Sequence, residues 1–434
     1  MTSPHIGNKA ILRLALPALG TLAIDPLLTL TDTAFVARLG VTELAALGVD
    51  TAILGFAFFG FNFLAYVTTP LVAQALGRGD EARARRWVGD ALLLALVLGV
   101  LALVVIVVIA PWLVDLMGAG EDVSGPAATY LRIRVIATPA VLIVTTGHGA
   151  FRGYHDTRTP LLVALGVNLI NLILDPLLIF GAGLGLEGAA IATVIAQYAG
   201  AFWFLRLLSK RRMADRPAGL REAIPTLLAL GRNGLLVSIR TAFLLFGLTF
   251  AAATATRIGS AEIAAHQVVM QLWLLAAMVA DAFAIAAQAM VGGAVGAGAV
   301  SATDRLVFRL LLWGGVTGLL LMAAFLFGNP LLALLVDDSE VAELTASAGA
   351  VAGWMMPIAA PLFVADGIFF GLLALRKVVS STAAGAVVVV LLISLTPLGD
   401  SLDGIWWAIA SMLVARGLVY VFTYRGAVEA SVRS

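Results

Sequence analysis

The stretch "LINLILDPLLIF" (Leu169–Phe180) places an asparagine, an aspartate and a proline inside a run that is otherwise entirely hydrocarbon. A carboxylate is costly to bury in an apolar span, and a proline removes one helical hydrogen bond. The whole chain has this apolar character, because 61% of its 434 residues are hydrophobic and only 12% are charged. A soluble domain carries roughly 25% charged residues. The sequence therefore predicts a polytopic membrane protein.

Apolar runs long enough to cross a bilayer recur from one end of the chain to the other. They predict an all-α fold with twelve transmembrane spans, at about 10–37, 44–76, 88–117, 126–151, 159–181, 187–209, 225–257, 261–292, 303–336, 345–375, 379–397 and 404–425.

The loops between these spans alternate in charge. One set is basic, as in "GRGDEARARR" and "KRRMADRPAGLRE", and the other is acidic, as in "GAGEDVSG" and "VDDSEVAE". The basic residues of the second set are confined to Arg38 and Arg257. Because basic loops remain on the cytoplasmic side, we expect both termini to be cytoplasmic, in the plasma (cell inner) membrane.

Two halves of the chain resemble each other. "LGVTELAAL" (Leu39–Leu47) returns as "IGSAEIAAH" (Ile258–His266), 219 residues later, and "FRGYHDTRTP" is echoed more weakly near Phe370–Val378. The offset spans six predicted helices, so the halves share one orientation in the membrane and are parallel repeats. We predict an N-lobe at 1–209, a cytoplasmic linker at 210–224 and a C-lobe at 225–434. Such an arrangement is typical of alternating-access transporters.

Polar residues of the first lobe fall at one depth. Counting helical rise from the predicted span ends puts Asp32, Asp175 and Thr193 roughly 9 Å below the outer surface. Asn168 and Asn171 share a helical face with Asp175. We therefore predict that these side chains meet and form a proton or cation site.

Prolines flank the same acids. Pro17 and Pro26 lie in the first span and Pro176 follows Asp175 directly. Each removes one backbone donor and permits bending. They are candidates for coupling the ionisation of the acids to helix shape, and ordinary kinks are the alternative.

The second lobe has its own polar residues near the predicted bilayer midplane. Arg240 needs a carboxylate partner, which Asp281 or Asp366 can supply, and Arg240 is the one arginine that we expect to be deeply buried. Gln267 and Gln271 lie on the same stripe as Asp281. This cluster is either a permanent ion pair or part of a substrate or proton site.

Other function classes find no support in the sequence. Cysteine is absent, the four histidines have no metal-ligand spacing, and no phosphate-binding loop or hydrolase motif occurs. We expect no enzyme activity, no metal site, no organic cofactor and no nucleic-acid partner.

The motifs "LTLTDTAFVARLG", "NLILDPLLIFG" and "GLEGAAIATVIAQY" closely resemble the multidrug and toxic compound extrusion family, nearest to its DNA-damage-inducible protein F branch. The resemblance covers essentially the whole chain. It implies two six-helix lobes that export cationic or amphipathic compounds against a proton or sodium gradient.

By the same resemblance, Asp32 and Asp175 match the acidic residues of the first lobe, and Asp366 matches one of the second. Asn171 and Thr193 match hydrogen-bonding neighbours, and Pro17 matches a bending proline. Many members carry an acid in the seventh span, where this chain has Arg240 in "SIRTAFLL".

We therefore predict a proton-coupled antiporter that acts as a monomer. With no cation nearby, Asp32 and Asp175 would share a proton and titrate together. Two alternatives keep the fold: Na⁺ bound at the two acids, or a flippase for a lipid-linked precursor, which would need more buried arginines than Arg240.

Overall fold

The computed structural model describes residues 7–216, 220–333 and 337–433. Within these ranges the chain forms fourteen α-helices. Their bounds are α1 Asn8–Val36, α2 Val41–Phe61, α3 Phe63–Gly77, α4 Glu81–Leu116, α5 Glu121–Arg134, α6 Thr138–Gly153, α7 Arg158–Pro176, α8 Gly185–Lys210, α9 Leu220–Ile258, α10 Ser260–Gly296, α11 Val300–Ala333, α12 Ser339–Gly371, α13 Leu375–Leu395 and α14 Leu402–Arg433. A π-helical turn, Leu177–Gly181, continues α7, and short 3₁₀ turns occupy Val135–Ala137 and Pro397–Asp400.

The helices form twelve segments that are long and apolar enough to cross a membrane, as the sequence predicted. Two of them are interrupted, because α2 with α3 and α5 with α6 each make one span. Some helices extend beyond the predicted ends, because their terminal turns consist of polar residues. For example, α4 begins at Glu81, where Asp80 accepts a hydrogen bond from the Arg83 N–H at 2.8 Å. Hydropathy alone does not detect such capped turns.

The described residues group into two compact units. The first unit is Gly20–Gly234, and the second is Leu235–Ser434 together with the chain up to Leu19. This grouping differs from the predicted lobes at both ends, because it cuts α1 and α9. The assignment of lobes at 1–209 and 225–434 stays a prediction, and residues 217–219 of the predicted linker lie outside the described ranges.

Each unit is held together by close helix packing. In the first unit α4 packs on α3 and α6, α2 packs on α5, and α7 packs on α8. In the second unit α12 packs on α10, α11 and α14, and α13 packs on α14. Small residues allow this approach: a Cβ added to Gly367 would lie 2.2 Å from the Ala284 carbonyl oxygen. Close backbone contact is a general way to stabilise helices within a membrane.

The two stretches of the weaker sequence echo end their helices with the same type of turn. After α6, the Asp156 N–H donates to the Phe151 carbonyl at 2.9 Å, and His155 adopts φ 60°. After α12, the Ala374 N–H donates to the Phe369 carbonyl at 3.0 Å, and Leu373 adopts φ 53°. Both are helix C-caps with a left-handed residue. The structure therefore ends the tenth span at Gly371, four residues before the predicted end.

Asp156 joins the ends of two helices in the first unit. It accepts hydrogen bonds from the Thr159 hydroxyl at 2.6 Å, the Thr159 N–H at 2.9 Å and Arg211 Nη1 at 2.8 Å. Partial burial alone would raise the pKa of Asp156, but these hydrogen bonds and the Arg211 charge lower it below the ordinary value. The side chain therefore caps α7 and ties it to the end of α8.

We expect Asp156→Asn to lower the free energy of unfolding by up to about 1 kcal/mol, because asparagine can keep the helix cap but loses the charge that pairs with Arg211. Because the folded state holds this carboxyl with a lowered pKa, its contribution is present above the unfolded pKa of about 4 and is lost as the pH falls below it. Thermal unfolding in detergent across this pH range measures the effect. Glu81→Gln is the control, since Glu81 is exposed and forms only a 3.8 Å ion pair. A destabilisation by Asp156→Asn that is the same at all pH values contradicts the prediction.

Candidate functional site

Two carboxyl groups meet inside the first unit. Asp175 is fully buried in the last turn of α7, and Asp32 is half-buried in the last turns of α1. The two groups lie within hydrogen-bonding distance of each other. Ionised carboxylates only accept hydrogen bonds, so a bond between them requires a proton on one of the two. The geometry therefore accommodates one shared proton.

An amide and a hydroxyl complete this cluster. Asn171 Nδ2 lies 3.3 Å from Asp175 Oδ1 and 3.3 Å from Thr193 Oγ1, and all three residues are buried. Asn171 thus contacts Asp175 and Thr193, as predicted, and the role of the cluster as a proton or cation site stays a prediction. Asn168 is placed differently from the prediction, because its Nδ2 donates to the Ala164 carbonyl of its own helix at 2.8 Å. Helical spacing placed Asn168 on the same face as Asp175, but it did not show that the Asn168 amide donates to the backbone of its own helix.

The prolines differ in their effect on the helices. Pro17 and Pro26 lie within α1, which continues without a break through both positions. Pro176 ends α7, and the wider π-helical turn Leu177–Gly181 follows it. Its missing N–H removes an ordinary helical bond at that point, which explains the change of winding beside the buried acid. The bending role of all three prolines stays a prediction.

Three further polar groups of the first unit were not predicted: two interact with the acid pair, and the third interacts with Arg134. Tyr130 and Arg134 lie on α5, and Asp50 lies on α2. Arg134 interacts electrostatically with Asp32, Asp175 and Asp50. The expectation that no cation lies near the pair was therefore wrong. Each missed residue is polar or ionisable within a predicted span, which is a signal that could have found it.

The second unit holds a buried ionic cluster. Asp366 on α12 is 4% exposed and accepts from Arg240 Nη2 at 2.6 Å and from Arg416 Nη2 at 2.7 Å. The Tyr420 hydroxyl donates to the same carboxylate. Arg240 also lies over the Phe370 ring, with 6.0 Å between the guanidinium carbon and the ring centroid. One carboxylate thus accepts hydrogen bonds from two arginines and a tyrosine.

This cluster corrects part of the prediction for the second lobe. The pairing of Arg240 with Asp366 is confirmed, but Arg416, at 1% exposure, is the more deeply buried arginine. The expectation that Arg240 alone is deeply buried was wrong. Asp281 lies half-buried on α10, and Gln267 and Gln271 are exposed on the same helix.

A helical chain with twelve segments able to span a membrane, and with ionisable clusters inside them, defines a multi-pass membrane protein of the transport class. The family model MatE matches residues 17–177 and 237–396, which is more than half of the chain. The chain belongs to this family of multidrug and toxic compound efflux transporters, and it is not an enzyme.

Two relatives and a solved structure support the same assignment. The chain is 35% identical to Protein DETOXIFICATION 44, chloroplastic, of Arabidopsis thaliana, over 85% of this chain and 73% of that protein. It is 31% identical to DNA damage-inducible protein F of Escherichia coli, over 96% and 92%. The fold matches the bent form of the Vibrio cholerae MATE transporter VcmN with a TM-score of 0.90, at 20% identity, over 98% and 97% of the two chains.

Proposed function

We propose that this transporter exchanges protons for organic cations or amphipathic compounds, and that the Asp32–Asp175 pair carries the proton. The approach of these two acids to hydrogen-bonding distance within the spans, with Asp175 fully buried, is the observation that carries the proposal. The protein would act as a monomer in the plasma membrane, with both termini cytoplasmic as the basic loops indicate.

The proposed cycle follows from the charge on the acid pair. A proton from outside lets the carboxyl groups remain hydrogen-bonded to each other and to Asn171. Loss of that proton leaves two negative charges in contact, and like charges at this distance in a poorly hydrated site repel strongly. Separation of the charges would move the ends of α1 and α7 that hold them, with bending at Pro17, Pro26 or the turn after Pro176. This movement would couple proton release to transport.

The neighbouring cation favours a proton over sodium as the coupling ion. Oxygens of Asp32, Asp175, Asn171 and Thr193 are of the type that a hard cation binds. However, Arg134 acts electrostatically on both acids, and its positive charge opposes a second cation at the same place. A proton is carried covalently by a carboxyl group and stays compatible with a nearby guanidinium.

The buried arginines do not favour a polyanionic precursor as substrate. A flippase for such a cargo would need cationic side chains free to bind it. Arg240 and Arg416 are both held by Asp366 at 2.6–2.7 Å. Their charges are therefore already engaged inside the second unit.

Counter-transport in proteoliposomes tests the proposal. We expect vesicles that contain the protein and are loaded with ethidium to release it faster when the external medium is made more acidic, with no sodium present. A sodium gradient at equal pH should give no acceleration over protein-free vesicles. Release driven by sodium alone, or insensitive to both gradients, contradicts proton coupling.

A further inference from the structure

A groove on the first unit lies apart from the acid pair. It runs between α4 and α8, both of which pack on α6, and encloses about 730 Å³. Most of its wall is hydrocarbon, supplied by these three helices through Leu92, Leu93, Leu96, Ile143 and Leu205. Leu205 lies roughly 18 Å along α8 from Thr193 of the acid cluster. No step of the proposed cycle uses this groove.

One end of the groove is basic. It is lined by Arg85, near the start of α4, and by Arg212 and Arg216 of the chain that leaves α8. The Asp215 carboxylate also lies there, but it accepts a hydrogen bond from Arg85 Nε at 3.2 Å, which offsets its charge. Arg212 and Arg216 are exposed, and their side chains pair with no residue that the structure describes. Two positive charges are therefore available to a ligand.

The segment that carries these two arginines is anchored to the unit. The Asp215 N–H donates to the Arg85 carbonyl at 3.2 Å, and the Tyr154 hydroxyl donates to the Met213 carbonyl at 3.3 Å. The same segment lies directly on α4 at Gly89, where an added Cβ would be 2.0 Å from the Asp215 carbonyl oxygen. The basic end is thus built into the fold of the unit.

The groove has the length of one membrane leaflet. It follows α4 from Arg85 to Leu96, which is about 16 Å of helix, and the hydrocarbon half of a bilayer is about 15 Å thick. Its basic end lies where α4 begins and α8 ends, and its apolar wall extends from there along the spans. The groove therefore matches a ligand with an anionic head and a hydrocarbon tail.

We propose that this groove binds an anionic phospholipid, with the phosphate at Arg212 and Arg216 and one acyl chain along the leucine wall. Guanidinium groups bind phosphate oxygens through paired N–H donors, and basic pockets between membrane helices bind anionic head groups. A soluble phosphate would use the arginines but not the apolar wall, so the wall is the observation that favours a lipid. In the orientation that we propose, the lipid belongs to the cytoplasmic leaflet.

Native mass spectrometry of the detergent-purified protein tests the charged end, with phosphatidylglycerol and phosphatidylcholine as probes. We expect the wild type to prefer phosphatidylglycerol, and Arg212→Gln and Arg216→Gln each to weaken its binding about fivefold. Arg206→Gln is the matched control, because Arg206 is an exposed arginine of α8 that does not line the groove. Equal binding of the two lipids by the wild type, or an equal loss in Arg206→Gln, overturns the proposal.

A second variant tests the apolar wall. Ile143→Trp fills part of the groove and leaves the arginines in place, so phosphatidylglycerol binding should fall about tenfold, the effect of excluding roughly two methylene groups. Leu101→Trp, at an exposed position of α4 outside the groove, should bind as the wild type does. Glycerol 3-phosphate, which has a phosphate head without acyl chains, should not compete with the lipid.

Competition by glycerol 3-phosphate, or wild-type binding by Ile143→Trp, would assign the basic end to a soluble anion and overturn the lipid proposal. Monodispersity on size exclusion identifies variants that fail to fold. The exposed arginines remain informative if Ile143→Trp is lost. Because binding is measured without transport, the result is independent of proton coupling.

Discussion

Asp175→Asn and Asp32→Asn are each expected to abolish the component of ethidium efflux that depends on a pH difference. Asparagine preserves the size of the side chain and can still hydrogen-bond, but it cannot bind and release a proton. The acid pair would then no longer alternate between a hydrogen-bonded and a repelling state. Efflux from proteoliposomes with and without an imposed pH difference measures the loss, which should reduce transport to the level of passive leak.

The two predicted asparagines of α7 supply matched controls for this result. Asn171→Ala removes the amide between Asp175 and Thr193, so we expect it to reduce proton-driven efflux partially. Asn168→Ala removes an amide that bonds only its own helix backbone in the structure, so transport should remain near wild type. Retained binding of ethidium by the Asp175→Asn variant would separate a coupling defect from a damaged substrate site. Normal proton-driven efflux in either aspartate variant rules out the proposed role of the pair.

The first-unit cluster was predictable because helix geometry gives depth directly from sequence. A fixed rise per residue placed Asp32, Asp175 and Thr193 at one level, and the spacing of Asn171 and Asp175 put both on one face. Depth is a strong constraint in a membrane, since few buried polar groups compete for partners. The contacts observed among these residues follow from those two rules.

The residues that were not predicted show that the depth of a side chain in the membrane does not reveal which helices pack together. Arg134 acts on the acid pair from α5, and Arg416 reaches Asp366 from α14 through a long side chain. Which helices pack together is decided by tertiary contacts between segments far apart in sequence, such as α12 with α14. A stripe of polar residues on a helix likewise does not show whether the stripe is buried. Gln267 and Gln271 lie on such a stripe and are exposed. Long cationic side chains extend a cluster beyond the residues that share its level.

The second cluster gives the largest expected effect on stability. Asp366→Asn leaves Arg240 and Arg416 buried without the carboxylate to which both donate. Breaking a buried ion pair from one side typically costs about 3–5 kcal/mol, because an uncompensated charge stays inside the protein. We expect a large loss of folded protein in membranes and a clearly lower thermal unfolding temperature in detergent. Asp304→Asn is the control, since Asp304 also accepts from a tyrosine of α14, Tyr424, but is exposed.

Charge balance distinguishes a structural anchor from a transport site in this cluster. Two arginines against one carboxylate leave a net positive charge, so Arg240→Met should be tolerated much better than Asp366→Asn, with Arg416 still paired. A permanent anchor predicts that Arg240→Met retains both stability and transport, because the remaining ion pair and the Tyr420 hydrogen bond keep α12 joined to α14. A stable Arg240→Met protein that no longer exports ethidium would assign the arginine to transport. Equal destabilisation by Arg240→Met and Asp366→Asn would contradict the prediction that loss of the single carboxylate costs more stability than loss of one of the two arginines.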